Sequence, residues 1–362
     1  MSIVPAAALF NLLKQPLNLC CLLIKNQILF RQLFLLSVFI YFVFTASGQQ
    51  RFSFTRPKMG SPFTIIFYDA DPLHAGRMAD ACFNLVDSFV NIYSDYIDSS
   101  ELNMLSRSAG QNMYVPVTPA LYDLLLQSQK AYILSKGSFD ITLGPVTKLW
   151  RTARKQRVFP NSTAAKEALN LVGFNKVKID TNSRTVMLRK SGMQLDAGGI
   201  AQGYIAQKVL DFLKQQHITS ALIDVSGDIA LGEPPPGKEG WNIGVNVPEQ
   251  TSKLQNKKLL LSNCTVSTSG DVYQYIEHNG RKYSHIVDPK TGYGVTTRRN
   301  VTVIAADATT ADWLATACSI LPIRQAKRLT KKMNAALMIA YIKGERLIVK
   351  STVNFTKYFN TQ

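Results

Sequence analysis

The stretch VTVIAADATTADWLATACSILPIRQAKRLTKKMNAALMIAYIKGERLIVK, Val301–Lys350, decides the fold class. It opens on an apolar, β-branched run, Val301 to Ala305, which reads as a strand. Thr309 or Thr310 then caps a helix that runs to Leu321, where Pro322 stops it. A basic helix, Arg324 to Met333, follows at once, and after it two strands, Ala336 to Ile342 and Arg346 to Lys350. Helix after helix and strand after strand break any regular βαβ rhythm. The segment therefore predicts an α+β fold of mixed or antiparallel sheets packed with helices, not a doubly wound sheet.

The chain upstream agrees. Pro62 to Tyr68 alternates as a strand, and His74 to Tyr93 places Met78, Cys82, Leu85 and Phe89 at helical spacing. Thr118 opens a helix with Pro119 at its first position, and Ser162 or Thr163 starts a short one that ends by Gly173. Val177 to Ile179 and Thr185 to Leu188 form a hairpin, Gly199 to Gln216 a helix, and Ala221 to Val225 a buried strand. Further strands are expected at Trp241 to Val247, around Val266, at Tyr273 to Glu277 and at Tyr283 to Val287. With 362 residues, 46% of them hydrophobic, the chain can bury a sizeable core as one large domain or two interlocked lobes.

The N-terminus differs in kind. Leu33 to Phe44 is almost uninterruptedly apolar, with Lys25 and Arg31 before it and Thr45-Ala46-Ser47-Gly48 after it. That order is the one a secretory signal peptide has, with cleavage after Gly48; an uncleaved anchor is the alternative. Residues 1–48 are thus expected to be a leader and 49–362 the working domain, exported to the periplasm or the outer face of the cytoplasmic membrane. Cys82, Cys264 and Cys318 remain in that domain, an odd and scattered set that builds neither a disulfide framework nor a metal site.

The formal net charge is +17, and the segment 323–362 is basic, with Arg324, Arg328, Lys331 and Lys332 among its cations. Such a face can approach an anionic membrane surface or be merely solvated. It could also approach nucleic acid, but no nucleic-acid-binding motif accompanies it, so nucleic acid is not an expected partner.

Chemistry concentrates in a few blocks. Ser284-His285-Ile286-Val287-Asp288-Pro289-Lys290-Thr291-Gly292 puts an imidazole and a carboxylate on a loop held by Pro and Gly, which suits proton transfer or a hard cation. Leu195-Asp196-Ala197-Gly198-Gly199 precedes a helix, so its backbone N–H groups can approach a diphosphate; equally it can be a tight strand-to-helix turn. It is neither the G-x-G-x-x-G fingerprint nor a P-loop. Asp312 and Thr316 lie one helical turn apart on one face, where they suit a hard, oxygen-seeking cation, or else a solvent-facing Asp and a Thr bonded to its own helix. Tyr96 ends an amphipathic helix, a place more usual for core packing.

Taken in order, Met59-Gly60-Ser61-Pro62-Phe63, Gly137-Ser138-Phe139-Asp140-Ile141-Thr142, Leu195 to Tyr204, Thr268-Ser269-Gly270-Asp271, Ser284 to Gly292 and Ala311-Asp312-Trp313-Leu314-Ala315-Thr316 resemble the ApbE family, the magnesium-dependent FAD:protein FMN transferases. The resemblance covers most of Met59 to Leu321. It implies an ApbE-like domain in which Met59, Tyr96, Ser138, Phe139, Asp140, Asp196, Gln202 and Ile286 meet FAD, Tyr96 lying against the flavin. It also implies Mg²⁺ at Asp312, Thr316 and a backbone carbonyl near Gly199. The family commonly has Lys where this chain has Gln202, and some members have a carboxylate where it has Ala315. Asp224-Val225-Ser226-Gly227-Asp228 stands where the family has a Gly-Gly-Asp turn and reads as structural.

The expected reaction is FMN transfer from FAD to a Ser or Thr of an exported or membrane electron-transport protein, such as a subunit of a sodium-translocating NADH:quinone oxidoreductase, with release of AMP. His285 is the expected base, with Asp271 and Asp288 in support. The alternatives are a hydrolase that splits FAD into FMN and AMP and a non-catalytic periplasmic flavin carrier.

Overall fold

A computed structural model describes residues 31–32, 48–245, 258–270, 275–297, 299–343 and 346–359. The chain divides into Met1–Gln50 and Arg51–Gln362. The apolar run Leu33 to Phe44 lies outside the described residues, and so does Asp271. Among the described residues no helix is long and apolar enough to cross a membrane.

An eight-stranded sheet carries the second unit. Its strands in spatial order are β1 (Gln50–Lys58), β2 (Ser61–Asp69), β6 (Ala221–Val225), β7 (Asp228–Leu231), β10 (Thr265–Gly270), β13 (Arg299–Ala305), β14 (Ala336–Lys343) and β15 (Arg346–Ser351). Every pair from β2 to β15 is antiparallel. Three small sheets flank it: β3 (Val115–Pro116) with β5 (Thr185–Leu188) and β4 (Val177–Asp180); β8 (Trp241–Gly244) with β9 (Lys258–Leu261); and β11 (Tyr275–His278) with β12 (Arg281–Ser284).

Both faces of the large sheet are covered, and the period of two in the strands shows how. Ile223, Val225, Val301 and Val303 enter the main core, while Leu222 and Ile304, one residue out of phase, enter a second cluster with Trp241, Leu259, Met338 and Phe355. That is why all seven residues of β13 are buried. The main core lies under α1 (Pro72–Tyr93), α2 (Glu101–Arg107), α3 (Pro119–Ser135), α6 (Ala201–Gln215) and α7 (Ala308–Ile320). A third cluster, built on Trp150 of α4 (Gly144–Gln156), joins it to α5 (Ser162–Leu169), Ile276 and Val287.

Several local expectations shift. The helix of Asp312 is capped by Asp307, whose carboxylate accepts from Thr310 N at 2.8 Å, not by Thr309 or Thr310. Asn161 caps α5. The strand expected over Tyr283 to Val287 stops at Ser284, because Ser284 Oγ accepts from Ile286 N at 3.0 Å and turns the chain. Val287 keeps an isolated bridge to Gly294. Thr118 does cap α3, accepting from Leu121 N, with Pro119 at the helix start. The final helix, α8 (Ile323–Lys332), buries Ala326, Leu329 and Thr330 and exposes Arg324, Arg328, Lys331 and Lys332. Cys82 and Cys318 are buried and Cys264 half-buried, all three as free thiols.

Candidate active site

The glycine turn sits where α6 meets α7. Asp196 N donates to Ile141 O at 2.7 Å, and Asp196 Oδ1 accepts from Gly198 N at 2.8 Å, closing an Asx turn that leads into α6. Glycine at 203 is dictated by packing. A Cβ there would lie 2.2 Å from Ala308 O and 2.7 Å from Asp312 Cβ, so the two helices touch through backbone. This contact lets Gly203 N donate to Asp312 Oδ2 at 2.9 Å. At Gly199 a Cβ would stand 3.1 Å from Thr316 Oγ1 and 3.4 Å from the Phe139 ring. Gly199, Asp312 and Thr316 are therefore gathered on one side of α7.

Asp312 is only 5% exposed, which removes the reading of a solvent-facing Asp. Burial first, and then the charge of Asp228, push its carboxyl well above the usual carboxylate range; the Gly203 N–H opposes them. Asp228 begins β7, pairs in register with Ser267 of β10 and accepts a short hydrogen bond from the Ser267 hydroxyl. Burial raises Asp228 to about 7, with the Ser267 hydrogen bond opposing and Asp224 adding to the rise. Among the described residues neither Asp312 nor Asp228 has a basic side chain within ion-pair distance. A buried acid without a basic partner among the described residues, on the helix face that carries Thr316 against the glycine backbone, suits a small hard cation. No three His, Cys, Asp or Glu side chains gather as a ligand set among the described residues. A cation here would draw on Asp312 together with hydroxyl and backbone oxygens.

A second group stands at Asp196. Tyr96 is 73% exposed, with the Arg151 guanidinium 4.1 Å over its ring centroid. Arg151 Nη2 lies 2.7 Å from Asp95 Oδ2 and 3.5 Å from Asp196 Oδ2. Arg154 is half-buried nearby, and burial and the charge of Arg151 push its pKa down.

The remaining expected residues are distributed around these groups. Ser138 and Phe139 are buried, and Phe139 leans on Trp313 with ring centroids 6.4 Å apart. Asp140 is buried and accepts from Thr142 N, Thr142 Oγ1 and Phe174 N, which ties the 138–142 loop to Phe174. Met59 occupies the turn between β1 and β2 at φ 52° and packs half-buried against the main core. Gln202 is half-buried in the first turn of α6.

His285 is half-buried between buried Ser284 and Ile286. Asp288 builds the turn that follows, its Oδ1 accepting from Lys290 N at 2.9 Å and its backbone carbonyl from Gly292 N at 2.8 Å. Trp150 Nε1 donates to Gly292 O at 2.8 Å and clasps this loop from α4. Thr268 lies against the Asp224–Asp228 turn, its N–H donating to Gly227 O at 3.2 Å.

Sequence reasoning passed over Asp228 and Arg151. The first sits in a short turn that reads as scaffold. The second is one of several cations in α4, an amphipathic pattern that ordinarily marks a solvated face.

Comparison with known proteins bears on the whole arrangement. The family model for the ApbE family matches residues 59–339. An FAD:protein FMN transferase of Klebsiella pneumoniae is 30% identical over 268 residues, 74% of this chain and 81% of the relative. One of Treponema pallidum is 34% identical over 253 residues, 66% and 70% of the two chains. The apo crystal structure of Pseudomonas stutzeri flavinyl transferase ApbE superposes with a TM-score of 0.76 at 27% identity, covering 86% of this chain and 97% of the other. The fold, the glycine turn against α7 and the match over 59–339 lead to one assignment: the chain belongs to the ApbE family.

Proposed function

We propose that this chain is an FAD:protein FMN transferase. The observation that carries the proposal is the meeting of the glycine turn with the Asp312–Thr316 face, in a chain whose relatives from Klebsiella pneumoniae and Treponema pallidum bear that name. The backbone N–H groups at the head of α6 receive the FAD diphosphate, Asp196 contacts FAD beside them, and Tyr96 takes the flavin ring. Mg²⁺ is the cation we assign to Asp312, Thr316 and the Gly199 carbonyl, where it would neutralise diphosphate charge.

An acceptor Ser or Thr oxygen forms the new bond to the FMN-side phosphorus. The bond from that phosphorus to the bridging oxygen breaks, and AMP leaves with that oxygen. His285 takes the hydroxyl proton, with Asp288 and Asp271 in support, so the step relies on positioning, charge stabilisation and one proton transfer. The acceptor is an exported or membrane electron-transport subunit, and the chain works outside the cytoplasm behind its apolar leader. The exposed cations of α8 support a peripheral approach to an anionic membrane.

Mass spectrometry of a co-expressed acceptor domain tests the reaction: FMN linked to Ser or Thr is expected, and AMP release without labelling would establish the hydrolytic alternative. His285→Ala should slow transfer by about two to four decades, the span of general base catalysis, while FAD still binds. Undiminished labelling by that variant would remove His285 from the role.

A further inference from the structure

Arg151 is bound to three groups at once. Its guanidinium lies over the Tyr96 ring at 4.1 Å and reaches Asp95 at 2.7 Å and Asp196 at 3.5 Å. A planar guanidinium can do this because its face stacks while its edge donates, so the aromatic and ionic contacts do not compete. Tyr96 remains 73% exposed with one ring face covered, so its other face is open to solvent. Asp196 is in turn tied to Gly198 N, inside the turn that leads into α6. One side chain thus couples an exposed aromatic platform to the glycine turn that leads into α6.

We infer that Arg151 is a positioning residue for FAD: it fixes the spacing between the open face of Tyr96, on which the planar flavin ring stacks, and the Asp196–Gly199 turn that leads into the diphosphate-receiving head of α6. The inference rests on the transferase reading for the identity of the ligand. Its geometric basis is independent of that reading. Without the guanidinium, Asp95 and Asp196 face each other as like charges; burial and the Asp196 charge already push the Asp95 carboxyl up, and Arg151 is what opposes them. The ring of Tyr96 would lose its backing at the same time. Platform and turn would then move independently, and a dinucleotide that engages both would lose preorganisation.

The test uses the full chain, FAD and the acceptor domain. Arg151→Ala should raise KM for FAD by about tenfold, the scale of one cation–π contact with its lost preorganisation, and the loss should fall on KM more than on kcat. The visible difference spectrum that FAD acquires on stacking should weaken with it. Arg151→Lys keeps a cation between the two acids but loses the planar face that backs the ring, and should recover only part of the affinity. In a Tyr96→Ala background, Arg151→Ala should cost clearly less than tenfold, because much of its effect passes through the ring. An unchanged KM and spectrum in Arg151→Ala, or full additivity with Tyr96→Ala, would overturn the inference. Transfer by the wild type with an unaffected Arg151→Ala defeats this inference alone; a wild-type chain that fails to bind FAD defeats the transferase reading with it.

Discussion

Gly203 shows how much a single residue decides here. The missing side chain brings Ala308 and Asp312 against the backbone of α6, and the approach gives Asp312 its hydrogen bond from Gly203 N. Gly203→Ala would force the helices apart and should cost about 1–3 kcal/mol, the usual scale of overpacking. Urea unfolding would measure that loss, and it should be accompanied by weaker Mg²⁺ binding. Asp312→Asn makes the complementary change. It keeps the shape and an acceptor for Gly203 N but removes the charge, so Mg²⁺-dependent turnover should vanish while the melting temperature stays the same or rises. Calorimetric Mg²⁺ titration with FAD checks this, and unchanged affinity would take Asp312 out of the metal shell. Of these features, the sequence shows the helical spacing of Asp312 and Thr316 plainly. It does not show their burial, because burial depends on α6 arriving across the chain at Gly203.

At the scale of elements, α4 carries the unexpected lesson. Proline is well suited to a helix start, and Gly144 is required because a Cβ there would lie 2.6 Å from Gln194 O. From this helix Trp150 grips the histidine loop and Arg151 grips Tyr96 and Asp196, so adjacent residues brace two parts of the site. Helical periodicity is legible in such a segment, but the partners of its outward side chains are not. The helices α1, α3, α6 and α7 and the strands β2, β6, β13, β14 and β15 are readable from spacing, as is the Thr118 cap of α3, whereas β1 is not read. The four-residue β7 and β9 are not read either, although β4 and β5, equally short, read as a hairpin across the Asp180–Ser183 turn. Trp150→Phe tests the brace. The ring contacts with Phe159, Tyr283 and Tyr293 largely survive, but Gly292 O loses its donor, at about 1–3 kcal/mol for a buried polar group left unpaired. Hydrogen exchange should quicken at Gly292 and Val295 before it does in β13, and equal protection in both would show that the loop does not depend on α4.

Across the whole molecule, the large sheet is covered on both faces, so a carboxylate on its helix side has little access to water. Asp228 is such a group, and its elevation to about 7 links the global stability of the chain to pH. Between the ordinary carboxylate pKa and that value, the folded chain holds a proton on Asp228 that the unfolded chain has released. The stabilisation is therefore complete below the unfolded pKa and is lost as pH rises through about 7, after which the curve flattens. The difference amounts to a few kcal/mol, order of magnitude, for a shift of this kind. Asp228→Asn keeps an acceptor for the Ser267 hydroxyl and cannot ionise. In EDTA, the variant should therefore melt above the wild type at pH 8 and approach it near pH 5. Thermal melts of both proteins across that range read the effect directly. Parallel curves would mean that Asp228 stays ionised in the folded chain, held by a compensating charge, and that the buried acids beside α7 impose no pH-dependent cost on the fold.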